Sequence, residues 1–466
     1  MKSPPPPDYS RIPSITALLE AASACADLVA LPRPALTAAL REAVDDLRAG
    51  LRGKNAGQKA CTIESLLDAA RKRVAQLRAG RLTRVINATG VVLHTGLGRS
   101  VLAEAAVQRV ATAARGYCSL EIDLSTGGRG RRGQYAEHLL RQLTGAEAAL
   151  VVNNNAAATM LALRGIAAGR EVIVSRGQLI EIGGSFRMPD VMTAGGAILR
   201  EVGTTNKTRL SDYEGAICNR SAMIMHVHTS NYRVVGFAES PGVAELAELA
   251  HRRGLVMFDD LGSGALLNDD LWAAAAEPTV VASLKANADF VSFSGDKLLG
   301  GPQSGILLGK SETIERLRKD PMARALRIDK LTIAALEATL ELYQSPGEAK
   351  ERIPTLAAVS EPAESLLARA GRLVAALRTA LPSETFSVMQ DESFAGGGSL
   401  PAWPMPTAVV RWKPSGTASV DELVRRLRLG DPAVLARIKD DAMLFDLRAI
   451  AEAETELLVG QVAKCC

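Results

Sequence analysis

Five apolar runs of four to six residues, Ala148–Val152, Glu171–Val174, Ala222–Val227, Leu255–Phe258 and Asp289–Phe293, recur between residues 86 and 335 with helical stretches between them. No other feature constrains the fold as tightly. A strand that reads as continuous apolar sequence is covered on both faces, and a helix between successive strands returns the chain to start a parallel neighbour. The expected fold class is α/β, a mostly parallel central sheet covered by helices. Residues 15–80 space their apolar positions three and four apart: Ile15, Leu18, Leu19 and Ala22, then Leu36, Leu40, Val44 and Leu47, then Ile63, Leu66, Leu67 and Ala70. That is the period of amphipathic helices, broken at Pro32 and Pro34 and over Gly50 to Gly57. Residues 336–466 open with a helical stretch around Leu336–Tyr343 and continue in an α+β pattern, with strands such as Thr407–Trp412 and Ala442–Leu447. The expected division is a helical domain at 1–85, a large domain at 86–335 and a small α+β domain at 336–466, with no internal repeat.

Lys297 follows the last of these runs, in Ser292-Phe-Ser-Gly-Asp-Lys297-Leu-Leu-Gly-Gly-Pro-Gln-Ser-Gly305. A lysine at a strand end, before a glycine-rich turn with room for a flat ligand, is the setting in which pyridoxal 5'-phosphate (PLP) is held covalently. A plain surface lysine has the same local sequence. Upstream, the run Leu255–Phe258 ends in Asp259-Asp260-Leu-Gly262-Ser-Gly264. A buried carboxylate at a strand end keeps the PLP pyridine nitrogen protonated, and Asp260, next to the loop, suits that role better than Asp259. An ordinary strand exit is the alternative. Val151-Val-Asn153-Asn154-Asn155-Ala156-Ala-Ala-Thr159 carries a strand through a polar turn into an alanine-rich helix. Its free N–H groups and positive dipole end suit a phosphate, although asparagines are also plain N-caps. Asn154, Asn155, Ala156, Asp260, Ser294 and Lys297 form the expected cofactor-binding set. Gln178, or a neighbour on its loop, is expected to cover the ring.

Taken together, these stretches resemble the bacterial selenocysteine synthase family, the L-seryl-tRNA(Sec) selenium transferases, along nearly the whole chain. The resemblance is carried by Tyr9–Ser14, Arg84–Arg99, Val152–Ala158, Asp260–Gly264, Ser294–Gln303, Arg324–Lys330 and Gly396–Pro401. Gly96 departs from it, standing where the family usually has asparagine. The resemblance implies the type I fold of PLP-dependent transferases. It also implies conversion of seryl-tRNA(Sec) to selenocysteinyl-tRNA(Sec) through a dehydroalanyl-tRNA intermediate, with selenophosphate as donor, by a homo-oligomer built as a decamer, a ring of dimers. In that chemistry Lys297 removes the Cα proton, and Asp296 assists the departing hydroxyl or caps the turn. Arg99, Arg324 and Arg327 are the cations for selenophosphate and the tRNA end. Arg324 and Arg327, at i and i+3, are expected on one helix face; a salt bridge to Asp320 or Asp329 is their structural alternative. The runner-up is a related PLP-dependent lyase acting on a free amino acid or amino sugar acid, and a noncatalytic RNA-binding protein is a third reading.

Charge supports an anionic partner. Residues 1–85 hold 14 Lys and Arg against 8 Asp and Glu, a net of +6 in a chain whose total is +4, so the remainder carries −2. Arg71, Lys72, Arg73, Arg78, Arg81 and Arg84 form a run without an acid, a solvated face or a phosphate-backbone docking surface for tRNA. Two motifs mislead. Gly128-Arg-Gly130-Arg-Arg-Gly133 matches a dinucleotide loop after a possible strand Leu120–Leu124, yet arginines fill it and no acid-tipped strand follows at the right distance. Gly305-Ile-Leu-Leu-Gly309-Lys-Ser311 is one residue short of a P-loop and reads as the strand after the lysine turn. The six cysteines lack metal-ligand spacing, so no metal and no disulfide framework is expected. With no bilayer-length apolar run, and a tetraproline lead-in instead of a signal core, a cytoplasmic enzyme off the membrane is expected.

Overall fold

The computed structural model describes residues 12–29, 31–52, 62–78, 81–183 and 186–466. The tetraproline Pro4–Pro7, the Tyr9–Arg11 part of the first matching stretch, and Cys61 lie outside the described residues. The chain forms two compact units, residues 1–84 and 85–466.

In the first unit Ile15–Ser23, Ala26–Val29, Arg33–Arg52 and Ile63–Arg78 are helices. Leu18, Ala22, Leu36, Leu40, Val44, Leu47, Leu66, Leu67 and Ala70 are buried together, as their spacing requires. Ser14 caps the first helix by accepting the Ala17 N–H at 3.2 Å. Two details differ from expectation. The second long helix continues through Gly50 to Arg52, and Ile63, counted with the apolar face, is exposed. Within the basic run Arg71 pairs with Asp68 at 2.7 Å and Arg73 with Glu42 at 2.5 Å, while Lys72 and Arg81 are exposed.

The strands of the second unit, in chain order, are β1 (Val85–Ala88), β2 (Ala148–Val152), β3 (Glu171–Ser175), β4 (Glu181–Ile182), β5 (Phe186–Arg187), β6 (Ile198–Val202), β7 (Ser221–Val227), β8 (Val256–Gly262), β9 (Phe290–Ser294), β10 (Gly305–Gly309), β11 (Thr385–Ser393), β12 (Met405–Lys413), β13 (Ala433–Lys439) and β14 (Ala442–Asp446). Seven of them form a sheet in the order β2-β10-β9-β8-β7-β3-β6. Its pairs are parallel except those of β10, which runs against both β2 and β9. Successive side chains go to opposite faces, so Val172, Val174, Met223, Met225, Phe258 and Phe290 enter one core and Ile173, Ile224, Met257, Val291 and Phe293 the other. The Phe258 and Phe290 rings stack across neighbouring strands at 4.4 Å. Each such ring, fully buried, contributes about 1.5–3 kcal/mol.

A second sheet runs β1-β13-β14-β12-β11, with Trp412 stacked between Phe386 and Phe445 in its core. Here β1 pairs with β13 in parallel, Val85 opposite Ala433. The segment expected to open the large domain thus lies in the C-terminal sheet. The possible strand Leu120–Leu124 is not one: the segment makes a single bridge, Ile122 to Arg129, inside an exposed basic loop. Gly305–Gly309, by contrast, is the strand expected after the lysine turn.

Candidate active site

Parallel strands whose helices return on both faces leave a crevice at their carboxyl ends, which is where ligands collect. Asn153, His228, Asp260 and Ser294 stand at those ends of β2, β7, β8 and β9. A cavity of about 280 Å³ opens there, and Arg99, Asp260, Asp296 and Lys297 line it with Asn154, Asn155, Ala156 and Ser294.

Asp260 is fully buried on the face that also carries Phe258. Its carboxylate accepts Asn155 Nδ2 at 2.8 Å, Thr159 Oγ1 at 3.1 Å and Ser292 Oγ at 3.1 Å. Burial pushes its carboxyl up, and the three hydrogen bonds and the charge of Lys297 oppose that. No ion pair of Asp260 occurs among the described residues, so its carboxylate has donors and lacks a contacting cation. A protonated ring nitrogen is such a cation. Asp259, one residue earlier, points to the opposite face and binds His226 Nδ1 at 2.7 Å, so strand alternation separates the two acids.

Asn154 is the N-cap of the helix Asn155–Ala167, accepting the Ala157 N–H at 2.9 Å. It caps the helix and also lines the cavity, while Asn155 braces Asp260 and the first turn of the helix, with its free N–H groups, borders the cavity. Gly305 lies against this turn: a Cβ there would come within 2.0 Å of the Asn154 carbonyl.

Lys297 is buried in the turn after β9. Burial first, then the nearby Arg99 cation, lowers its amine to about 8, against the pull of Asp296, Asp260 and Glu277. Its Nζ faces the Gly398 carbonyl at 3.5 Å, in a turn where Gly396, Gly397 and Gly398 all take positive φ. Asp296 pairs with Arg99 Nη1 at 2.7 Å. Ser100 locks the two loops together, N–H to the Asp296 carbonyl at 3.2 Å and Oγ to the Gly301 carbonyl at 2.7 Å.

Three expectations require correction. Gln178 does not line the cavity; it is buried with its side-chain oxygen accepting the Val227 N–H at 3.1 Å, and Ile180, Ile182 and Met188 of the following segment form that wall. Arg324 and Arg327 do not share a helix face, because the helix Pro321–Ala325 ends before Arg327. Neither pairs with Asp320 or Asp329. Asp320 binds Arg164, Asp329 caps the next helix, and Arg327 lies 3.6 Å from Glu121. Neither arginine lines the cavity, although Leu326, between them, accepts the Asn153 N–H at 3.0 Å, which brings their segment beside the cavity turn. Sequence reasoning missed His228, Ser230 and Thr159, which line the cavity. The signal for His228 was its position directly after an apolar run, one residue past Val227, which pairs with Asp260 on the neighbouring strand.

Among solved structures, that of D-glucosaminate-6-phosphate ammonia-lyase superposes with a TM-score of 0.58 at 21% identity, covering 84% of this chain and 97% of that one. The lysine-bearing seven-stranded architecture is the type I fold of PLP-dependent enzymes. Family profiles go further: that of L-seryl-tRNA selenium transferase matches residues 85–451, and that of the selenocysteine synthase N terminal matches residues 9–48. An L-seryl-tRNA(Sec) selenium transferase of Solidesulfovibrio magneticus is 48% identical over 98% of both chains, and one of Desulfomicrobium baculatum 47% identical over 97% of both. The chain belongs to the L-seryl-tRNA selenium transferase family.

Proposed function

We propose that this protein converts seryl-tRNA(Sec) to selenocysteinyl-tRNA(Sec), using PLP carried on Lys297 and selenophosphate as selenium donor. The carrying observation is a buried lysine amine of lowered basicity in one cavity with a cation-seeking buried acid, in a chain that shares nearly half its residues with enzymes of that name. The residues fit the cofactor. Asp260, braced by Asn155, Thr159 and Ser292, would hold the pyridine nitrogen in its protonated form, and the start of the helix Asn155–Ala167 would receive the phosphate. When bound, PLP supplies an electron sink for the Cα of a seryl group.

The remaining work falls to side chains. An amine lowered to about 8 is partly neutral near physiological pH and can take the Cα proton. Asp296, oriented by Arg99 beside Lys297, would relay the proton that the lysine takes from Cα to the departing hydroxyl, which leaves as water, and Ile180, Ile182 and Met188 keep bulk water from that wall. Arg99, Arg324 and Arg327 supply cations for the anionic donor and the tRNA end. The basic helical unit at residues 1–84 holds the tRNA, and the working form is a decamer, a ring of dimers, in the cytoplasm. No helix among the described residues is long and apolar enough to cross a membrane.

The test is direct. Protein reconstituted with PLP and given serylated tRNA(Sec) forms dehydroalanyl-tRNA, and adding selenophosphate converts it to selenocysteinyl-tRNA, both read by mass spectrometry of the acyl group. Seryl-tRNA recovered unchanged overturns the assignment. The lyase reading is not favoured, because the likeness to the ammonia-lyase, at 21% identity, extends to the fold alone.

A further inference from the structure

Two polar atoms buried beside the cavity face each other without partners. His228 Nε2 and Glu277 Oε1 are sealed from solvent, make no hydrogen bond, and lie 3.6 Å apart. The other oxygen of Glu277, Oε2, accepts the backbone N–H of Leu400 at 3.1 Å. Leu400 closes the glycine turn whose Gly398 carbonyl faces the Lys297 amine. His228 is held from its other side, its backbone N–H donating to the Asp260 carbonyl at 3.0 Å, while its ring lines the cavity. One carboxylate therefore stands between an imidazole of the cavity wall and the turn that meets the cofactor lysine.

A buried carboxylate is tolerated only where donors satisfy it. Leu400 supplies one. An ionised carboxylate can only accept, so the ring atom facing it must carry the proton, and apo sites commonly show such contacts longer than in the working complex. We propose that Glu277 is a positioning residue that keeps the proton of His228 on Nε2 and so orients the imidazole at the wall of the PLP cavity, while anchoring the Gly396–Leu400 turn beside Lys297. Glu277 acts through two neighbours. This inference rests on the PLP reading of the cavity and adds a pair that no part of that reading requires.

The experiment is a double-mutant cycle on the full chain with Glu277→Gln, His228→Gln and the double variant. Glu277→Gln keeps an acceptor for Leu400 and removes the charge facing the ring. Each protein is titrated with PLP, from the cofactor-free form, to obtain a dissociation constant by visible absorbance. Its melting midpoint, and kcat and KM for dehydroalanyl-tRNA formation, are then measured. Each single variant is expected to lose about tenfold or more in PLP affinity or kcat, as loss of an orienting partner does, with KM for seryl-tRNA(Sec) nearly unchanged. The double variant is expected to be no worse than about twofold beyond the weaker single, because residues acting as a unit are not additive. Losses that multiply, or a Glu277→Gln protein that matches wild type, overturn the pairing. If Glu277→Gln does not fold, Glu277→Asp, which keeps the charge but withdraws it by one methylene, replaces it in the cycle under the same criterion. Wild-type protein that binds PLP but makes no dehydroalanyl-tRNA counts against the function proposed above, and the cycle in PLP affinity still decides the role of Glu277.

Discussion

The Arg99 guanidinium lies 2.7 Å from the carboxylate of Asp296, the residue immediately before Lys297. Arg99 reaches it from a left-handed backbone conformation, φ 62°, one that an L side chain adopts at a cost of about 1–3 kcal/mol. The pair acts on the lysine in opposite senses, the arginine lowering its amine and the aspartate raising it.

A pH dependence follows from that opposition. The folded lysine sits at about 8 against an ordinary 10.5, so its contribution to stability is present above the ordinary value and is lost as pH falls through the folded one. Capture of PLP by the cofactor-free protein should rise with pH to a midpoint near 8. Arg99→Ala should move that midpoint upward and Asp296→Asn downward. Stopped-flow absorbance across pH 6 to 10 checks this, and midpoints that coincide in all three proteins would refute it.

Gly305→Ala should disturb the cofactor without touching it. The added carbon would meet the Asn154 carbonyl at 2.0 Å, displacing the turn that caps the helix and carries Asn155. A stability loss of about 1–3 kcal/mol is expected from such overpacking, together with weaker PLP binding. Thermal melting and absorbance titration measure the two, and an unchanged PLP affinity would mean that the turn is not part of the cofactor site.

Arg327 separates substrate recognition from structure. Its contact with Glu121 at 3.6 Å is partly exposed, so Arg327→Ala should cost no more than about 1 kcal/mol of stability. Selenium transfer from selenophosphate should nonetheless fall by roughly tenfold or more, since a charge-assisted hydrogen bond is worth about 1.5–3 kcal/mol. Arg327→Lys keeps the charge and loses the planar fork. Full activity in both variants would remove Arg327 from the site.

A chain of residues 85–466 should retain the visible PLP band and lose most of its affinity for tRNA(Sec), because the excess positive charge lies in the part removed. Binding by the full chain should also weaken steeply as salt is raised. Equal tRNA binding by the shortened and full chains, in a filter or mobility-shift assay, would move recognition to the second unit.

Much of this site was legible because its residues sit at strand ends, where apolar periodicity stops and chemistry begins. Lys297, Asp260 and the asparagine turn, read in that way, all line one cavity. Asp260 lines that cavity and Asp259 does not, because alternation puts Asp260 on the face of Phe258. What escaped were residues placed by long-range contacts. Glu277 and Leu400 meet across more than a hundred positions of chain, and no local pattern announces such a meeting. Gln178 was misread because the residues after β3 that turn toward the cavity come later, at Ile180 and Ile182. The shared helix face of Arg324 and Arg327 was misread because Pro321–Ala325 is too short a helix to carry an i, i+3 pair through to Arg327.

The parallel pairing of Val85–Ala88 with Ala433–Ala436 has a consequence for how the protein is made. A strand that leaves the ribosome early must wait for a partner synthesised more than three hundred residues later. Until then its unpaired edge is a place for the wrong strand to add. Chains cut short before residue 433 would lack that partner, β13, and its neighbour β14, whatever they had already built around Lys297. A nascent protein of this kind leaves its second sheet unfinished until Ala433–Lys439 has emerged, which makes that interval the one in which early termination does most damage.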